Sequence, residues 1–196
     1  MPVHRQLTVP QLRRLKAWLV CLSDASSYLA IARTNEELID QGAFIEHGTG
    51  ETRIGHALEK GLVAAAIISL MQIVVTGKGS NDICSNRDLG TIGEIRAALY
   101  QYSDQKNGWG SGHTKKLLEE TRLQRHAFLA HYGGSKAAIK LTENADPLSF
   151  SWCPPNPWYR ADAFSELDAA TTAMHEILNR IVSDQSEALR NSSESP

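Results

Sequence analysis

The stretch "RLQRHAFLAHYGG", residues 122–134, gathers Arg122, Arg125, His126 and His131 at what reads as the end of a helix closed by two glycines. A guanidinium holds phosphate through paired hydrogen bonds, and an imidazole exchanges protons near neutral pH. On a wheel of about 100° per residue, Leu117, Leu118, Phe128, Leu129 and Tyr132 share one arc, and Arg125 falls inside it. A solvated charge belongs on the opposite side; an arginine within an apolar arc reaches the rim or meets a partner surface. The neighbourhood is basic, with His113, Lys115, Lys116, Arg122, Lys136 and Lys140 against Glu119 and Glu120. Since the whole chain carries a formal net charge of −2, this positive charge is a local concentration. Two readings stay open: a footprint for a phosphodiester ligand, or a basic surface patch at a partly exposed helix end.

The elements that must carry these residues are helical. From about Pro10 to Ala32, Leu12, Leu15, Leu19, Leu22, Ala25, Leu29 and Ala32 recur at three- and four-residue steps. Thr34 and Glu37 have capping-box spacing, which predicts a new helix start within "TNEELIDQG" and a stop at Gly42. A long helix is expected from about Arg53 to Val75, central and mostly buried. A shorter one follows, with Ile92, Ile95, Leu99 and Tyr102 on one side. The helix bearing the opening stretch runs from about Ser111 or Thr114 to Tyr132. The last begins near Ser165, with Asp168 as its cap partner, and aligns Leu167, Ala170, Met174, Ile177, Leu178 and Ile181. Between these two, "LSFSWCPPNPWYRAD" (148–162) reads as an irregular Pro/Trp-rich insertion with a short strand at 148–152. The expected whole is one all-α domain over residues 1–190, an antiparallel bundle of about five helices, with a frayed tail at 191–196.

Composition and the remaining motifs narrow the chemistry. With 42% hydrophobic and 21% charged residues the chain can build an ordinary globular core. Its three cysteines, Cys21, Cys84 and Cys153, are widely spaced and odd in number, as suits a reducing compartment. The N-terminus has charges where a secretory signal needs an apolar core, and the run Leu62–Val75 is short for a membrane span. A cytoplasmic protein without a membrane partner is therefore expected. "TGKGS" at 76–80 departs from a phosphate-binding P-loop, because Gln72 stands where the first glycine is required and a helix precedes it. No His-Glu-x-x-His, Cys-x-x-Cys or Gly-x-Ser-x-Gly pattern occurs, and His47 and His56 merely flank a carboxylate-rich loop. Neither a metal nor a cofactor is expected. Trp18, Trp109, Trp152 and Trp158 read as core or rim packing.

Arg125, five intervening residues and then His131, with His126 directly after the arginine, resembles the signature of the HEPN superfamily: Arg, four to six residues, His, with Asn, Asp or His following the arginine. In that family the signature lies on a late helix of a small all-α bundle. The Leu-Ala-His ending is similar to the abortive-infection branch. The resemblance implies a metal-independent endoribonuclease of a toxin–antitoxin or phage-defence system, with Arg125, His126 and His131 as catalytic residues. It also implies RNA (tRNA included) as substrate, a homodimer that brings two motifs together, and an antitoxin or other defence protein as partner. In such a site His131 would move protons at the ribose 2′-oxygen or the leaving 5′-oxygen. Arg125 would stabilise the phosphorane-like transition state, and His126 would orient the phosphate or act as the second proton carrier. Arg122, Lys115, Lys116 and Lys136 would bind the RNA backbone. One group of the family carries a tyrosine, close after the histidine, that a partner nucleotidyltransferase modifies. Tyr132 directly follows His131, whereas that group has one residue between, and packing is the simpler role for this ring.

Geometry adds one constraint. On an ideal helix, positions 125 and 131 differ by about 120° in direction and roughly 9 Å along the axis. One straight helix cannot close both on one phosphate, which favours a site completed by a second copy. The alternative keeps the fold without the chemistry: a catalytically silent HEPN-like module that dimerises and binds nucleotide, RNA or a partner protein. A plain helical scaffold with an incidental basic patch is the third reading.

Overall fold

The computed structural model describes residues 6–43, 53–74, 86–128 and 161–193. These form five helices, with no strand among the described residues: α1 (Val9–Asp40), α2 (Arg53–Val74), α3 (Asn86–Lys106), α4 (His113–Phe128) and α5 (Ala161–Ser193). The fold is all-α, as the periodicity predicts. The expected strand at 148–152, the rest of the Pro/Trp-rich insertion up to residue 160 and the glycine stop at 133–134 lie outside the described residues.

Helix α1 begins on Thr8, whose hydroxyl accepts from Gln11 N while the Gln11 side chain accepts from Thr8 N, a complete capping box with Pro10 in the first turn. From there the helix runs unbroken to Asp40 and stops at Gly42, whose φ of 76° suits the left-handed C-terminal position. The predicted restart at Thr34 is therefore corrected. Thr34 Oγ1 donates to Ala30 O, bonding back into the preceding turn instead of capping a new one. Leu12, Leu15, Trp18, Leu22, Ala25, Leu29 and Ala32 are buried; Trp18 rather than Leu19 occupies the stripe at its level. Over an 18-residue window α1 is long and apolar enough to cross a membrane, with a mean hydropathy of 1.2. In the bundle that apolar stripe forms core against α2 and α5.

Helix α2 is less enclosed than its composition suggests. Ala66, Ile67, Leu70, Met71 and Ile73 are buried, whereas Leu58 and Ile68 each keep 47% exposure. Helix α5 starts at Ala161, earlier than the predicted Ser165, and continues to Ser193. Asp168 is not a cap: its carboxylate accepts from Arg33 of α1 at 2.5 Å. The expected stripe of α5, from Leu167 to Ile181, is buried.

A few polar ties set the directions. Leu7 N donates to Gln185 Oε1 at one end of the α1–α5 pair, and Arg33 meets Asp168 at the other, so the two helices are antiparallel. Asn35 Nδ2 donates to Gly55 O, which makes α1 and α2 antiparallel as well. Arg96 of α3 donates to Val74 O in the last turn of α2. Tyr102 and Lys106 both reach Glu176 of α5. His113, the first residue of α4, lies 3.3 Å from Glu166 near the start of α5. One end of the bundle thus holds the start of α1, the end of α2, the start of α3 and the end of α4. The other holds the α3–α4 turn and the start of α5. Around the core the main neighbours run α1, α2, α4, α3, α5 and back to α1.

The capping assignment is testable by denaturant unfolding. Thr8→Ala removes a working cap and should cost about 1 kcal/mol. Thr34→Ala should change stability by less than about 0.5 kcal/mol. Equal losses would restore a break in α1.

Candidate functional site

Helix α4 begins on a cap that comes from α3. Gly112, with a φ of 86°, has no side chain to offer at the helix start. Asp104, buried at the end of α3, instead accepts from Gly112 N and Thr114 N, both at 2.7 Å. Thr114 Oγ1 donates to Ser103 Oγ at 2.9 Å, so the turn is closed by three buried polar side chains. Trp109 fills its outer side, tilted against the His113 ring with centroids 4.6 Å apart. His113 Nε2 is close to Glu166, but without hydrogen-bond geometry.

From this anchor α4 climbs toward the opposite end with Thr114, Leu117, Leu118 and Thr121 buried. By helical register, position 125 continues the row 117–121 by one more turn. Position 126 instead continues the flank row 115, 119 and 122. The described part of the arc expected to hold Arg125, from Thr114 to Thr121, is the packing arc of α4. The side chains of 123–128 lie outside the described residues, as do His131, Tyr132, Lys136 and Lys140 altogether.

The described part of the basic cluster is less uniform than a list of cations suggests. Arg122 Nε donates to Glu119 at 2.7 Å, and Lys116 lies 3.9 Å from Glu120. Lys115 is exposed. Lys115 and Lys116 stand near the α3–α4 turn, roughly 15 Å along the axis from position 125. One sequence cluster is thus drawn out along the bundle. Tyr100 of α3 faces this flank; its hydroxyl pKa is pushed up to about 12, chiefly by burial, with Glu119 adding to the rise against an opposing effect of Arg96.

Sequence reading missed Asp104 and Glu176. Glu176 accepts from Tyr102 Oη at 2.8 Å, pairs with Lys106 and has Arg180 at 3.6 Å. Lys106 first, then Tyr102, hold its carboxyl below the ordinary 4.5. The same contacts raise Lys106 and Tyr102 above their ordinary values. Both carboxylates act across helices, so no spacing within the sequence signals them. Among the described residues no group of His, Cys, Asp and Glu is arranged to hold a metal ion.

Asp104→Ala should destabilise the protein by about 1–3 kcal/mol, because it strands buried amide donors; Asp104→Asn, which keeps one acceptor, should recover part of that loss in the same unfolding assay. For Glu176, the depressed folded-state pKa means that its contribution is present above 4.5 and disappears as pH falls through the folded value. The raised Lys106 pKa makes the same ion pair fade only in strong alkali. A Tm difference between wild type and Glu176→Gln should be present at pH 7 and shrink as the pH falls below 4.5. A pH-independent difference would assign its origin to packing.

No protein family, curated protein or solved structure matches the chain.

Proposed function

We propose that the chain is a metal-independent endoribonuclease of the HEPN type, acting in the cytoplasm in a toxin–antitoxin or phage-defence system as a homodimer. The observation that supports this reading best is the register of α4. Its backbone is helical through Phe128, with position 125 on the packing row and position 126 on the cationic flank. A cation on a packing row is costly unless it has a partner, and a phosphate at a subunit boundary supplies one.

The reaction that fits is internal transesterification. The RNA 2′-hydroxyl loses its proton to a histidine, and its oxygen attacks the adjacent phosphorus. The bond to the 5′-oxygen breaks, and that oxygen takes a proton from a second histidine. His131 and His126 fill these two roles, with Arg125 neutralising the extra charge on the phosphorane. The products are a 2′,3′-cyclic phosphate and a 5′-hydroxyl; no metal is needed, and DNA cannot react. A second copy supplies the histidine that one straight helix cannot bring to its own arginine.

The deciding assay is incubation of total RNA and tRNA with the protein in EDTA. Wild type should cleave to 2′,3′-cyclic ends. Arg125→Ala and His131→Ala should each lose about 10²-fold or more of the activity with an unchanged thermal midpoint. RNA binding without turnover would favour the silent module, and neither binding nor turnover the scaffold. Full activity in a protein that is monomeric at micromolar concentration would rule out the composite site.

A further inference from the structure

Helix α1 segregates charge along its length. The first turns of α1 carry Arg13, Arg14 and Lys16 with no carboxylate before Asp24, whereas its last turns carry Glu36, Glu37 and Asp40. The polar ties decide which end is which. Asn35 meets Gly55, and a rise of about 1.5 Å per residue carries α2 roughly 28 Å from there to Val74. Over the same distance α1 returns to the level of Lys16. At Val74 the bundle also receives Arg96, and α4, antiparallel to α3 from the Ser103–Thr114 contact onward, passes that level near Arg122. Arg13 and position 125 each lie about one turn further out. The basic start of α1 and the level of position 125 on α4 therefore share one end of the bundle.

The surface between them suits an anionic strand. Helix α2 separates α1 from α4 at this end, and from Gly61 to Val74 it has no charged residue. On the other side of α1, α5 presents Asp184 and Glu187, exposed carboxylates that would repel phosphate. Arg13 and Lys16 are exposed, and neither forms an ion pair among the described residues, unlike Arg122 and Lys116. They share an outward row with Val9 and Val20, which are 51% and 60% exposed. Uncompensated cations on an outward row match the phosphates of a nucleic-acid backbone.

We propose that Arg13 and Lys16 bind the backbone of single-stranded RNA whose scissile phosphate lies at the motif end of α4, on the far side of α2. The assignment rests on the ribonuclease reading. It displaces Lys115 and Lys116, near the opposite end, from the principal RNA contact.

The test is fluorescence anisotropy of a labelled single-stranded RNA with the full chain carrying His131→Ala, so that turnover does not intervene. Reversing Arg13 and Lys16 to Glu should weaken binding about tenfold or more and flatten the log–log salt slope by about 1.4, the share of two phosphate contacts. Arg13→Gln with Lys16→Gln should show a smaller loss of the same kind, with unchanged circular dichroism. Lys115→Glu with Lys116→Glu should have the lesser effect. Unchanged affinity on reversing Arg13 and Lys16, or a larger loss on reversing Lys115 and Lys116, overturns the proposal while the ribonuclease reading stands. So does a loss confined to binding of phosphatidylglycerol vesicles. A parent protein that neither binds RNA nor, with His131 restored, cleaves it overturns both.

Discussion

The buried row of α1 is the constraint on which the remaining helices depend. Leu15, Leu22, Ala25 and Leu29 are fully enclosed, and each large side chain so buried contributes about 1.5–3 kcal/mol of transfer free energy. That row is long because the helix is long, and it offers α2 and α5 a seam to pack along. Helices α3 and α4 close the ring on the far side. Neither α3 nor α4 has α1 among its main neighbours, so the placement of α4 is inherited from α1 through α2 and α5.

An apolar seam sets which faces meet but tolerates slippage, since a shift of one turn, about 5.4 Å, exchanges one leucine contact for another. The polar ties remove that freedom. Gln185 binds the backbone of Leu7, Asn35 the carbonyl of Gly55, and Arg96 that of Val74. Buried groups of this kind lose their partners on a one-turn slip, and unpaired buried donors and acceptors are costly. The register of the bundle, and with it the level of the motif end, therefore depends more on these few bonds than on the larger hydrophobic area.

This division explains what could be read from the sequence. Apolar spacing is local and periodic, so the stripes of α1, α3 and α5 were legible, as was the stop at Gly42. Thr34 misled because capping-box spacing also occurs inside a helix, where the hydroxyl can bond the carbonyl four residues back. The working cap at Thr8 uses Gln11, a pair the same rule covers one helix start earlier. Asp104 was not legible, since its partners lie across a glycine-rich turn. Nor was the drawing out of the basic cluster: ten residues look adjacent on the page but span roughly 15 Å on a helix. Arg125 was legible as an anomaly on the helical wheel, and of its arc the structure describes Leu117, Leu118 and Thr121, all buried.

A cation on a packing row is tolerable in only a few ways. It reaches solvent at the rim, meets a counter-charge, or is left uncompensated at a cost that few folds tolerate. A helix C-terminus also favours a positive charge placed near its last carbonyls. The same reasoning places Arg96 against the final carbonyls of α2. Arg96 thus stands where a helix end concentrates negative potential, and α1 carries Arg13 and Lys16 near that level, exposed and without an ion pair among the described residues.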